Sequence, residues 1–180
     1  GMRTGGMAAT AKHFPGHGAV VADSHKALPI DRRPLTELTD ELLPYRRMIA
    51  NGLTSVMVAH VLFPEVDEAP AGFSARWIQQ ELRWGLGFTG AVFSDDLSMG
   101  GAAFAGTVPE RARRAIEAGC DLLPICNDRP AVLATLFKVE GSAPRGAGAQ
   151  MLFAAVPDGI RASGYFSGDC IEGDVSRHAA

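Results

Sequence analysis

Apolar runs and helix-patterned polar stretches alternate along the chain. Four runs are nearly continuous in apolar character and rich in branched residues: MAATAKHF (7–14), LTSVMVAHVLF (53–63), TGAVFSDDL (89–97) and CDLLPIC (120–126). They lack the polar alternation of a half-solvated sheet, which predicts strands buried on both faces. Between them, Pro44 suits the first turn of a short helix through YRRMIAN, with Gly52 as its stop. Ser74 can cap ARWIQQELRWG, whose Trp77, Ile78 and Leu82 share a face. Thr107-Val-Pro-Glu110 reads as a capping box opening RARRAIEA, and Gly119 closes that helix. Asp128 can cap RPAVLATLF, with Val132, Leu133 and Leu136 on one side. The order βαβαβαβα belongs to a parallel α/β protein.

After about residue 140 the pattern dissolves. GSAPRGAGAQ is linker-like, and beyond the short run MLFAAV the remaining turn residues keep no period. The expected division is a β/α domain over 1–140 and a poorly patterned tail over 141–180.

Each predicted strand ends in polar residues at its carboxyl end. These are Lys12 and His13, then His60, then Ser94, Asp95 and Asp96, then Asn127 and Asp128. In parallel sheets those ends share one face, where α/β enzymes place their chemistry. Four strands are thus expected to deliver reactive groups to one rim.

Composition narrows the class. The 180 residues are 47% hydrophobic with formal net charge −3, enough for one core and no electrostatic reason to expect nucleic acid or an anionic membrane. No apolar run approaches the roughly 20 residues that span a bilayer, and GMRTGGMAAT lacks the order of a signal peptide. Cys120, Cys126 and Cys170 form no CxxC pair, so a reducing, cytoplasmic setting is expected.

The stretch AKHFPGHGAVVADSH (11–25) holds three of the chain's five histidines. Metal binding, proton transfer and a plain solvated loop are its three readings. His13 and His17 are four apart, but Pro15 and Gly16 intervene, so helical H-x-x-x-H geometry is not available. Asp23 and His25 are two apart and project together from an extended segment. A carboxylate bonded to imidazole fixes the tautomer and tunes its basicity, and an unperturbed pKa of about 6.5 allows proton exchange near neutrality. Asp95, after its apolar strand, can serve as nucleophile, base or metal ligand, while Asp96 turns the other way to cap the next segment. A carboxylate plus an independent proton donor is the minimum kit for retaining glycoside hydrolysis.

AKHFPGHGAVVADSHKALP resembles the signature loop of bacterial β-N-acetylglucosaminidases in glycoside hydrolase family three. VMVAHVLFPEVDEAPAGFSARWIQQELRWGLGFTGAVFSDDLSMGGA and AIEAGCDLLPICNDRPAV continue the resemblance in order and spacing, over approximately residues 1 to 139. It implies the second half of a TIM-type (β/α)8 barrel, with the domain over 1–140 a partial barrel. It implies Asp95 as catalytic nucleophile and His25, paired with Asp23 on a mobile loop, as general acid/base. It implies Lys12 and His13 as sugar ligands, with His60 a candidate for the same role and His17 a loop-shaping residue. The implied substrate is a terminal β-linked N-acetylglucosamine in a peptidoglycan-derived muropeptide, N-acetylglucosaminyl-1,6-anhydro-N-acetylmuramic acid, with no metal or organic cofactor.

A full barrel of this type takes about 250 residues. The first four strand-helix units, with the aspartate and arginine they contribute to the sugar clamp, have no counterparts here. A half-barrel leaves open strand edges, so self-association and weak or absent hydrolysis are expected. A metal-dependent hydrolase using His13, His17 and Asp95, a non-catalytic barrel fragment, and transfer to phosphate in place of water are the remaining alternatives.

Overall fold

In a computed structural model the chain forms a parallel three-stranded sheet with helices in its crossovers; the structure describes residues 2–126, 128, 130–132, 134 and 135. The strands are β1 (Thr10–Phe14), β2 (Ser55–Val58) and β3 (Ala91–Ser94), in the order β1-β2-β3. Both pairings are parallel, as the near-continuous apolar runs predict. The expected boundary near residue 140, the tail 141–180, and Asn127, Leu133, Leu136 and Cys170 lie outside the described residues.

The fourth expected strand is reduced to one bridge, Phe93 to Leu122. Two features of CDLLPIC explain it. The Asp121 carboxylate, not a backbone carbonyl, accepts the Val92 N–H at 2.7 Å. Pro124 has no N–H to donate, although its carbonyl accepts from Leu97 at 2.9 Å. The segment follows β3 without forming a ladder.

Burial on both faces is also only partly realised. Ala11, Val56 and Val92 form one register row and are all buried, whereas the next row, Lys12, Met57 and Phe93, is exposed at Lys12 and half-buried at the other two. One face is thus covered by the helical layer, and the other is partly open.

Helix α1 (Thr39–Ala50) begins earlier than Pro44 predicts. A 3₁₀ turn, Leu35–Leu38, leads into it, and Pro44 sits inside at a position that forfeits one intrahelical bond. Gly52, at φ 77°, is the expected stop, and the Leu53 N–H returns to the Met48 carbonyl. The Arg76–Gly85 segment winds with π-type spacing, its end marked by the Leu86 N–H bonding Glu81 O at 2.9 Å. Ser74 Oγ accepts the Trp77 N–H at 3.0 Å, and Trp77, Ile78 and Leu82 are all fully buried. Helix α2 (Val108–Ala118) has the predicted capping box, and Gly119 ends it at φ 112°. A Cβ at Gly119 would overlap the Gln79 amide. Asp128 Oδ1 accepts the Ala131 N–H at 3.0 Å, as a cap does.

The core lies between the sheet and these helices. Phe14 meets Tyr45 and Trp77 edge-on at 5.1 and 6.0 Å, and Phe63 meets Trp77 at 5.1 Å. Ring pairs at these separations add to simple area burial.

Candidate active site

The site gathers at the carboxyl ends of β1, β2 and β3. Asp95 directly follows the last residue of β3, His13 is the penultimate residue of β1, and His60 lies two beyond β2. The parallel register brings these ends together, since Phe14, Val58 and Ser94 share a row.

His13 owes its position to a register slip. Lys12 pairs with Met57 and Phe14 with Val58, so His13 has no partner opposite it. An extra residue of this kind is a β-bulge, which bends the strand and re-aims a side chain. His13 Nε2 stands 3.7 Å from Asp95 Oδ2, too far for a hydrogen bond and close enough for charge to be felt. Burial pushes the His13 pKa below the ordinary imidazole value; the Asp95 carboxylate pulls it upward, and Lys12, His17 and His25 add to the downward push. At neutral pH His13 is an uncharged ring facing a carboxylate.

Asp95 is 9% exposed. Its Oδ1 accepts the Asp96 N–H at 2.8 Å, which orients the carboxylate and leaves Oδ2 toward His13. Asp96 takes the structural role expected of it. Its Oδ1 accepts from Ser98 N at 2.9 Å and Cys126 N at 3.0 Å, tying the loop after β3 to the end of the next segment.

His60 is placed differently from the expectation of a sugar ligand. It has no exposed surface, stacks on Phe73 at 5.3 Å, and its Nε2 lies 3.1 Å from the Asp96 carbonyl oxygen. A carbonyl only accepts, so Nε2 carries the proton and Nδ1 is a bare lone pair, for which the described residues offer no partner. Burial lowers the His60 pKa against the opposing pull of Asp95 and then Asp96. A strand-end histidine looks the same in sequence whether it faces the mouth or the helical layer. This one holds the backbone beside Asp95.

Asp23 and His25 form the pair their spacing predicts. His25 Nδ1 lies 2.8 Å from Asp23 Oδ1, and the same oxygen accepts the His25 backbone N–H at 3.0 Å. Those two bonds, the backbone one first, hold the Asp23 carboxyl below the usual carboxylate range. An ionised carboxylate only accepts, so Nδ1 is protonated and Nε2 faces outward, free to exchange a proton. Both side chains are well exposed, at 76% for His25 and 50% for Asp23. No hydrogen bond or ion pair joins His25 to Asp95 among the described residues; the connection runs through the loop's backbone, where Gly100 N donates to His25 O at 3.0 Å. Lys12 is exposed on the open face of β1.

His17 packs edge-on to His13 with ring centroids 6.3 Å apart, and its Nε2 is buried. Among the described residues, no three His, Cys, Asp or Glu side chains gather as a metal ion would require. Two braces lie outside every motif of the sequence. Arg33 joins Asp31 at 2.6 Å to Glu41 of α1 at 2.9 Å, and the Glu41 side chain lies against Gly16 in the histidine loop. Arg111 of α2 donates to Leu97 O at 2.7 Å, holding the segment just past Asp95. Neither belongs to a short motif, so only proximity in the fold reveals them.

Residues 1–145 match the glycosyl hydrolase family 3 N terminal domain. Residues 126–180 also match the XdhC and CoxI family, so the stretch expected to be a poorly patterned tail falls within a second similarity. The chain is 52% identical over 152 residues to a "Beta-hexosaminidase" of Thiobacillus denitrificans, covering 84% of this chain and 42% of that relative. Among solved structures, it is similar to NagZ from Neisseria gonorrhoeae in complex with N-trifluoroacetyl-D-glucosamine, at 49% identity and TM-score 0.67, covering 73% of this chain and 38% of that one. A glycoside hydrolase family 3 β-N-acetylglucosaminidase from Paenibacillus matches at 35% identity and TM-score 0.77, over 98% of this chain and 38% of that one. The chain thus spans about two fifths of the length of these relatives. Its parallel β/α units are those of a TIM-type barrel, and the chain belongs to glycosyl hydrolase family 3.

Proposed function

We propose that this chain carries the catalytic pair of a retaining glycosidase that removes terminal β-linked N-acetylglucosamine. The observation that carries the reading is the meeting of Asp95, at the end of β3, with a loop whose Asp23–His25 pair is bonded to the segment just beyond it. In the first step Asp95 attacks the anomeric carbon while the glycosidic bond breaks and the leaving oxygen takes the proton from His25 Nε2. In the second, His25 removes a proton from water, the resulting hydroxide attacks the same carbon, and the bond to Asp95 breaks. His25 thus begins as the imidazolium, becomes neutral in the first step and is reprotonated in the second, while Asp23 holds Nδ1–H throughout, fixing the ring's orientation and stabilising the imidazolium that the second step restores. Lys12 and His13 hydrogen-bond the sugar's hydroxyls, His13 as a neutral ring.

The proposed substrate class is a small amino-sugar glycoside from peptidoglycan, N-acetylglucosaminyl-1,6-anhydro-N-acetylmuramic acid, handled in the cytoplasm during cell-wall recycling. The family resemblance and the β-hexosaminidase relatives support this finer reading. The chain alone is proposed to be weak or inactive, because precise positioning supplies roughly 7–11 kcal/mol of such barriers. The expected outcome is slow release of the aryl group from an aryl N-acetyl-β-glucosaminide, lost in Asp95→Ala. A chimera carrying residues 1–139 in place of the matching segment of the Thiobacillus denitrificans relative is expected to hydrolyse that compound at near-parental rate. A folded but inert chimera would overturn the assignment.

A further inference from the structure

We propose that Gly100 and Gly101 form a side-chain-free seat for the Ser24–Lys26 backbone, and that this seat sets where the Asp23–His25 pair stands relative to Asp95. The inference rests on the glycosidase reading for its consequence, but its structural content stands apart from turnover.

The two glycines lie five and six residues after Asp95, at the start of a short 3₁₀ segment, Gly100–Ala105. Their amides donate to the histidine loop: Gly100 N to His25 O at 3.0 Å and Gly101 N to Ser24 O at 2.9 Å. The loop closes on itself behind these bonds, since Lys26 N and Ala27 N both donate to Asp23 O, at 2.9 and 3.1 Å. Ser24 is buried between two exposed neighbours, so the loop has an anchored base and free tips. The Asp23 and His25 side chains are exposed, while the backbone beneath them is held by these four hydrogen bonds.

Neither glycine has a positive φ, so backbone conformation does not demand glycine at either position. Contact does. A Cβ at Gly100 would lie 2.6 Å from Lys26 O and 2.9 Å from His25 O, and one at Gly101 would lie 2.8 Å from Ser24 O. All three obstacles are backbone carbonyls, which a rotamer change cannot move aside. The loop itself would have to lift by roughly an ångström to reach ordinary contact, the size of misplacement that costs about a hundredfold in rate. The seat is also rigid from beneath. Arg111 holds Leu97 O at 2.7 Å, and a Cβ at Gly101 would meet His60 Cβ at 3.3 Å, the same His60 that bonds Asp96 O. Loop, seat and nucleophile thus share one support. Gly100 and Gly101 are positioning residues.

Hydrogen exchange and limited trypsin digestion of the full chain test this without turnover. In the unaltered protein the Gly100 and Gly101 amides are expected to exchange at least tenfold slower than free amides. Gly100→Ala is expected to raise trypsin cleavage after the exposed Lys26 about tenfold. It should also raise the His13 pKa, because His25 helps to lower it and would move away. Gly18→Ala, in the same loop where a Cβ would meet nothing within 4 Å, should change neither. Gly101→Ala replaces Gly100→Ala if the latter fails to fold. Unprotected amides, cleavage unchanged in the seat variant, or an equal rise in Gly18→Ala would each overturn the seat. Loss of aryl-glycoside release in Asp95→Ala is a separate result, so failure of the seat and failure of the glycosidase reading are told apart.

Discussion

His13 and His60 approach Asp95 from different strands, and its carboxylate acts on both rings in the same direction. Burial lowers each pKa, and Asp95 is the largest influence opposing it. A negative charge favours the protonated ring, so removing it should lower both values further. Asp95→Asn is therefore expected to shift the imidazole titrations of His13 and His60 to lower pH, as followed by the ring-proton NMR signals. An upward shift, or none, would mean that the Asp95 charge does not act on both rings. Much of this constellation was legible beforehand: chain position alone put Lys12, His13, His60 and Asp95 at one rim, and two-residue spacing paired Asp23 with His25. The burial of His60 was not legible. It depends on Phe73 stacking over the ring and on Gly72 and Gly101 leaving room beside it, contacts that no local pattern encodes.

Among the elements, expectation and structure part where a side chain or a proline takes over a backbone role. Helix α2 follows its sequence signals from capping box to Gly119, because every determinant lies within a few residues. Helix α1 begins five residues before Pro44, since a preceding 3₁₀ turn and the Arg33–Glu41 pair anchor its first turns from outside. The fourth strand is replaced by Asp121. Its carboxylate takes the Val92 N–H at 2.7 Å and Arg83 at 2.7 Å, while Arg83 also donates to Gly90 O at 2.8 Å. Asp121→Ala should leave a sheet N–H and a partly buried guanidinium without their acceptor, at a cost of about 3 kcal/mol. Asp121→Asn keeps an acceptor for Val92 and is expected to cost about 1 kcal/mol. Denaturant titration checks this: the midpoint should fall in that order with the slope unchanged. Equal losses in the two variants would show that charge, and not the Val92 bond, is what the segment contributes. The same logic explains His13. Its bulge is invisible in the run MAATAKHF, because it exists only in the pairing with β2.

At the scale of the whole molecule, three parallel strands make a sheet with two unequal edges and one partly open face. The outer edge of β3 is covered by the segment bridging at Leu122, whereas β1 has no second strand beside it among the described residues. The open face carries Met57 and Phe93 half-buried, where a closed barrel would pack its interior in layers. An edge of this kind templates further pairing, although β1 carries two features that blunt it, the exposed Lys12 and the bulge at His13. Association should therefore be reversible and dependent on concentration, and not runaway aggregation. The weight-average sedimentation coefficient is expected to rise between about 1 and 100 μM, the range in which weak protein pairs of about 6–8 kcal/mol form. Lys12→Val, which removes the edge charge, should move that rise to lower concentration. The expected remedy is specific as well: the part of the Thiobacillus denitrificans relative outside the matched 152 residues, supplied as a separate chain, should suppress self-association and increase aryl-glycoside release together. Both effects would share one cause, since the β1 edge and open face expected to pair with a second copy are also those against which further β/α units of a barrel would close. A chain that sediments as a monomer throughout this range, with Lys12→Val no different, would show that the bulge and the bridging segment suffice to seal the sheet.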